Sequence, residues 1–252
     1  MIDFVRKTPD ELESMSYEQK RLYFENLKDY VLSLPFDEDF ARRGEEKFIN
    51  TMGGIVKLIR KHMDPQIYGN SKPLEVPTII VSNHLGSLDS VVVNTPYPDE
   101  AFHYMIAASL LKAKNLWQGY FFRNRGAFVV DKNDPVDKKM GEIRALQYLF
   151  RDMHIMMFPE GTRRVKYGSD GSVTDFKKGA AEIAQASGAN VRPTAINNNF
   201  KKSGLYVNVG EDILVGYDDN VFEKTDEIQQ SVTELWHENK TNGALILTKN
   251  PK

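Results

Sequence analysis

Cysteine is absent from all 252 residues. That removes disulfides, thiolate nucleophiles and cysteine-ligated metals together, and it suits a reducing compartment. Long apolar runs are missing too. None approaches the ~18 residues of a membrane-spanning helix, and a run such as Ile155-Met156-Met157-Phe158 has the length of a buried strand. The start, Met1-Ile2-Asp3-Phe4-Val5-Arg6, lacks the basic stretch and apolar core of a secretion signal. No G-x-S-x-G turn is present to carry a serine nucleophile, and no H-E-x-x-H or similar spacing to ligate a metal. Recognisable nucleic-acid motifs are lacking and the chain as a whole is not basic, with a net charge of −2, so no nucleic-acid partner is expected.

What is present is an ordinary globular composition, 41% hydrophobic and 27% charged, able to bury a core. The charge is unevenly spread. Residues 1–100 carry 12 Lys/Arg and 17 Asp/Glu, residues 101–202 carry 17 and 9, and residues 203–252 carry 4 and 9. A basic centre between acidic flanks suits an anionic substrate or an anionic surface, with scattered solvated lysines as the plainer alternative.

Hydrophobic spacing predicts one helix over 10–34, stopped by Pro35, and a second over 37–62, closed by Pro65. From Gly69 onward, apolar runs alternate with helical patterns. Strands are expected at 76–82, 102–107, 127–130, 154–158, 191–196 and 205–209, with helices near 88–94, up to about 121, and at 136–151, 178–187 and 223–239. This alternation predicts an α/β fold: a central mixed, mostly parallel sheet flanked by helices and preceded by an N-terminal helical pair. The adjacent late runs 191–196 and 205–209 predict an antiparallel pair within it. The expected organisation is an N-terminal helical segment over 1–68 and an α/β domain over 69–252.

Two constellations carry chemistry. In Asn83-His84-Leu85-Gly86-Ser87-Leu88-Asp89 a histidine and an aspartate stand five residues apart, just after an apolar strand. Roughly 0.4 such pairs are expected by chance in a chain of this composition, so context has to decide. A continuous helix would put the two side chains about 140° apart. They can meet only across a turn, which Gly86-Ser87 supplies, with Ser87 a possible N-cap and Asp89 in the first helical turn. Histidine can take a proton near neutral pH, and a carboxylate can hold its ring in the useful tautomer. The second constellation, Phe158-Pro159-Glu160-Gly161-Thr162-Arg163-Arg164, also follows an apolar strand. Gly161 lets backbone approach a ligand, Arg163 offers a planar fork for phosphate, and Glu160 can accept from a substrate hydroxyl or brace an arginine. A charged surface turn is the bland alternative.

Taken in order, these pieces resemble the glycerolipid acyltransferase family, particularly the 1-acyl-sn-glycerol-3-phosphate (lysophosphatidate) acyltransferases. Asn83-His84-x4-Asp89 matches the first motif of that family, Gly126-Ala127-Phe128-Val129-Val130-Asp131-Lys132 resembles the second, Phe158 to Arg163 matches the third, and Val191-x-Pro193 with Ile196 resembles the fourth. Phe176-Lys177-Lys178-Gly179-Ala180 fits the stretch that usually follows the third motif. The resemblance covers about residues 74–200. The chain departs from the pattern at Lys132, where arginine is usual, at Gly86-Ser87, and in its highly charged first 70 residues.

The resemblance implies transfer of a fatty acyl group from a thioester to the free hydroxyl of lysophosphatidate, giving phosphatidate in phospholipid biosynthesis. His84 and Asp89 are the implied catalytic pair. Glu160, Gly161, Thr162, Arg163, Lys132 and Arg125 are the implied substrate-binding residues. No metal or cofactor is implied; acyl-coenzyme A or acyl-carrier protein would serve as donor substrate. Other acceptors, such as glycerol-3-phosphate or another lysophospholipid, remain alternatives, as does a catalytically silent lipid- or carrier-binding protein of the same fold. A cytoplasmic location at the inner face of the membrane is expected. The 48–63 stripe, with Lys57, Arg60 and Lys61, either lies on an anionic bilayer or packs against the sheet.

Overall fold

The structure, a computed structural model, describes residues 7–86, 89–108, 126–131, 133–161, 172–199 and 204–249. Its centre is a seven-stranded sheet: β1 (Gln66–Gly69), β2 (Thr78–Ser82), β3 (Phe102–Ala107), β4 (Phe128–Val130), β5 (His154–Met157), β6 (Asn190–Asn199) and β7 (Gly204–Val209). The spatial order is β1-β7-β6-β2-β5-β3-β4, and every pairing is parallel except β6 with β7. The sheet is therefore mixed and mostly parallel, with the antiparallel pair where the sequence places it. Strand β1 is an addition. Three half-exposed residues and an exposed glycine at a sheet edge carry neither a continuous apolar run nor an alternation from which a strand could be read.

Helices α1 (Pro9–Glu13), α2 (Tyr17–Ser33), α3 (Glu38–Met63), α4 (Asp89–Val93), α5 (Pro135–Leu149), α6 (Gly179–Ser187) and α7 (Val221–Lys249) cover both faces. The alternation of β2 sorts them. Ile79 and Val81 pack with Phe24, Leu27 and Val31 of α2, with Leu146 and Leu149 of α5, with α6, and with Ile228 and Trp236 of α7. Ile80, on the opposite face, packs with Phe48 and Met52 of α3 and with Val92 and Val93 of α4. All five residues of β2 are buried, as expected of a central strand covered on both sides.

The single helix expected over 10–34 is two helices. Thr8 with Glu11 and Ser16 with Gln19 each form a reciprocal capping box, so the chain stops at Ser14 and restarts at Tyr17. Helix α3 runs through Gly53-Gly54 unbroken. Gly53 is there because α3 crosses the chain near Pro98: a β-carbon at Gly53 would lie 2.9 Å from the Pro98 carbonyl oxygen. The apolar stripe of α3 faces the sheet, with Phe48, Met52 and Val56 buried. Among the described residues, no helix is long and apolar enough to cross a membrane. The helical material expected up to 121 lies outside the described residues.

Candidate active site

The site gathers at the carboxyl ends of β2 and β5, adjacent parallel strands, where open α/β sheets place ligands. Register does the gathering. Val81 pairs with Met157, so the residues three further on, His84 and Glu160, emerge side by side. The His84 amide donates to Glu160 Oε1 at 3.2 Å. On the other side of β2, Asn83 continues the ladder with its side chain: Nδ2 donates to the Ile196 carbonyl at 3.0 Å, and Oδ1 accepts from the Ile196 amide at 2.8 Å. The residue before His84 is thereby locked to β6.

His84 and Asp89 meet across a tight turn. His84 Nδ1 lies 2.7 Å from Asp89 Oδ2, and the same oxygen accepts from the amides of Leu85 at 2.5 Å and Gly86 at 2.7 Å. Asp89 is the first residue of α4 and is fully buried, at the helix end where negative charge is stabilised. A carboxylate can only accept, so Nδ1 carries the proton and the lone pair is left on Nε2. The His84 ring also stacks on Phe158, with centroids 4.4 Å apart and planes at 22°. A hydrogen bond and a stacked ring together fix the orientation of the imidazole. Behind α4, burial pushes the Tyr104 phenol up, and its neutral hydroxyl accepts from Asn94 Nδ2 at 2.5 Å.

Glu160 is buried, and its second oxygen accepts from the Thr174 hydroxyl at 2.8 Å. Its visible work is to brace the backbone of His84 and the chain leading to α6. Gly161 follows with φ +70, in the left-handed region that glycine tolerates. Thr162, Arg163, Lys132 and Arg125 lie outside the described residues, and so does Ser87 as a cap. The described part of the second motif is anchored at its start: His103 Nδ1–H donates to the Gly126 carbonyl at 2.9 Å, and its Nε2 faces Glu45 Oε1 at 3.4 Å. Burial works against ionisation of Glu45, but the His103 hydrogen bond and charge, together with Arg42, outweigh it and hold the carboxyl below its ordinary range.

Of the residues the sequence singles out, the structure brings His84, Asp89 and Glu160 together, Glu160 through a contact with the His84 backbone that the sequence does not show. Sequence reasoning missed Asn83, Phe158 and Thr174 as supporting residues. Asn83 and Phe158 stood inside quoted motifs, but their roles depend on which strands are neighbours. Thr174 carries no local signal at all.

The Acyltransferase family model matches residues 40–197, a span that begins in α3 and ends within β6 and includes both strand ends of the site; the chain belongs to this family. Among similar proteins is the 1-acyl-sn-glycerol-3-phosphate acyltransferase of Bacillus subtilis, 27% identical over 66% of this chain and 77% of its own length. The Saccharomyces cerevisiae protein of the same name is 23% identical over 54% of this chain, and the match spans 44% of the yeast protein. The fold is similar to that of the 1-acyl-sn-glycerophosphate (LPA) acyltransferase PlsC from Thermotoga maritima. That match has a TM-score of 0.60 at 18% identity and covers 91% of this chain and 95% of that one.

Proposed function

We propose that this protein transfers a fatty acyl group from an acyl thioester to the free hydroxyl of lysophosphatidate, forming phosphatidate. The observation that carries the reading is the imidazole of His84, oriented through Nδ1 by a buried carboxylate and presenting Nε2 at the strand end beside the Pro159-Glu160-Gly161 turn. The names of the similar proteins support the choice of acceptor.

In a direct displacement, Nε2 takes the hydroxyl proton as the oxygen attacks the thioester carbonyl. The new C–O bond forms, the C–S bond breaks, and the thiolate leaves with the electron pair. The imidazolium, stabilised by Asp89, then returns its proton to the departing sulfur or to water. A thiolate leaves readily, so a strong general acid is not required. With no cysteine in the chain, no thioester on the protein intervenes.

Acyl-coenzyme A and acyl-carrier protein are both anionic donors suited to the basic centre of the chain. Thr162, Arg163, Lys132 and Arg125 are the proposed contacts for the phosphates, with Lys132 keeping the charge of the usual arginine without its fork. A lipid acceptor brings the protein to a membrane surface, and a peripheral position at the inner face of the membrane follows from that chemistry. The buried stripe of α3 leaves Lys57, Leu58 and Lys61 exposed for such contact.

The test is a donor-by-acceptor matrix with products identified by mass spectrometry, run on wild type and His84→Ala. Phosphatidate should form, and H84A should lose roughly 10³-fold or more in kcat. Undiminished transfer by H84A would remove His84 as the base. Turnover with glycerol-3-phosphate or another lysophospholipid in place of lysophosphatidate would reassign the acceptor, and absence of turnover with any pair would leave a binding protein.

A further inference from the structure

Residues 172–177 run beside the Phe158–Gly161 turn on their way to α6, and hydrogen bonds hold them on two sides. Thr174 Oγ1 donates to Glu160 Oε2 at 2.8 Å, and the Lys177 amide donates to the Pro159 carbonyl at 3.1 Å. From the other side, the Phe176 amide donates to Gln229 Oε1 of α7 at 2.8 Å. With the backbone pinned in this way, the Lys177 side chain is laid across the turn. A β-carbon on Gly161 would stand 2.9 Å from Lys177 Nζ and 3.3 Å from its Cε. The ammonium therefore sits over the bare face of Gly161, next in sequence to the carboxylate that holds the amide of His84.

The neighbouring lysine is used differently. Lys178 Nζ pairs with Glu182 at 3.2 Å and lies 5.3 Å from the centroid of the Phe222 ring, so it serves α6 and its packing against α7. Lys177 is exposed, and among the described residues no carboxylate lies within ion-pair distance of it. One of two adjacent lysines is thus spent on structure, and the other is delivered to the mouth of the site.

The geometry points to Lys177 as a specificity-determining residue that binds the phosphate monoester of the acceptor, an inference that rests on the acceptor reading above. Neighbouring strands lie about 4.8 Å apart. A three-carbon glycerol phosphate spans such a gap, so one molecule can set its phosphate on the Lys177 ammonium at the end of β5 and its hydroxyl on Nε2 of His84 at the end of β2. A lysine suits this as a compact point charge that needs no fixed fork. Gly161 has no side chain to block the approach, and the three tethers keep the stem of Lys177 from wandering.

The experiment compares Lys177→Ala, Lys177→Arg and Lys178→Ala with wild type. Acceptor and donor are titrated separately, and monoacylglycerol serves as an acceptor without phosphate. K177A should raise the lysophosphatidate KM roughly five- to fiftyfold, in line with loss of a charge-assisted hydrogen bond, while the donor KM and the rate on monoacylglycerol hold. K177R should recover most of the loss, and K178A should behave as wild type toward both substrates. An unchanged lysophosphatidate KM in K177A overturns the inference while leaving the proposed function standing. A rise confined to the donor KM overturns it in favour of donor phosphates. A wild-type protein inert toward every phosphate-monoester acceptor overturns both.

Discussion

One oxygen of Asp89 does three things: it accepts from the His84 ring and from the amides of Leu85 and Gly86. The same atom therefore shapes the turn that brings the two residues together and selects the tautomer that makes Nε2 a base. Replacing the carboxylate with an amide separates these duties. Asp89→Asn keeps the size and one acceptor oxygen, but it can offer an NH₂ to the ring and invite the wrong tautomer. The fall in kcat should be roughly 10²- to 10⁴-fold, with KM values for donor and acceptor nearly kept. Steady-state kinetics on protein shown by circular dichroism to be folded will check this. A drop in kcat no larger than the accompanying loss of folded protein would reduce Asp89 to a structural residue. Of the site, this pair was legible in sequence because both partners and the turn between them sit within seven residues. Glu160 was legible as present but not in its contacts, since its partner His84 is 76 residues away.

At the scale of elements, α3 shows how the same residue type can be required at one position and merely tolerated at the next. Gly53 faces the Pro98 carbonyl at a distance no β-carbon accepts, whereas around Gly54 nothing lies within 4 Å of where a β-carbon would be. Both sit in the interior of a helix, where glycine costs about 1 kcal/mol relative to alanine. Gly54→Ala should therefore stabilise the protein by about 0.5–1 kcal/mol, and Gly53→Ala should destabilise it by roughly 1–3 kcal/mol through forced separation of α3 from the segment before β3. Urea denaturation of the two variants, compared at equal slope, is the measurement. Matching shifts would mean that the crossing of α3 is loose. The sequence showed two glycines alike. Only the packing of α3 against the chain near Pro98 tells them apart. The break between α1 and α2, by contrast, was written locally in two capping boxes, and a stricter reading of Thr8-x-x-Glu11 and Ser16-x-x-Gln19 finds it without any structure.

For the molecule as a whole, the site occupies one end of the central strands and an acid-sensitive group the other. His154 begins β5 at the end away from the site. Burial pushes its imidazole down to about 4 against the smaller opposing pull of the Glu45 carboxylate, and its Nδ1 accepts from the Thr78 amide at 3.2 Å. Protonation breaks that hydrogen bond and buries a charge. Because the folded pKa lies below the unfolded value, the unfolded chain binds the extra proton first as pH falls. The stabilising contribution is full above about 6.5 and is lost between there and about 4, roughly 3 kcal/mol in all. His154→Gln, whose amide oxygen can take over the Thr78 hydrogen bond, should flatten the pH dependence of stability across that window. The check is the difference in unfolding free energy between wild type and variant at pH 4.5 and pH 7. An identical slope in both would place the acid lability elsewhere. Activity near neutral pH should be unaffected, since the two ends are held apart by the length of the strand.

The sequence by itself determined the class of fold, the succession of its main strands along the chain, the antiparallel turn-back late in the chain, the pairing of His84 with Asp89 across a turn, and the family. Each of these depends on short-range pattern: apolar periodicity, turn residues, or a motif within a few positions. Tertiary structure decided the rest. It made β2 and β5 neighbours, which brings Glu160 to His84. It turned Asn83 into a rung of the sheet, stacked Phe158 on the His84 ring and folded the stripe of α3 inward. It also laid Lys177, but not Lys178, over Gly161. Such contacts join residues far apart in the chain, and which of them form depends on strand order and register, which local pattern leaves open.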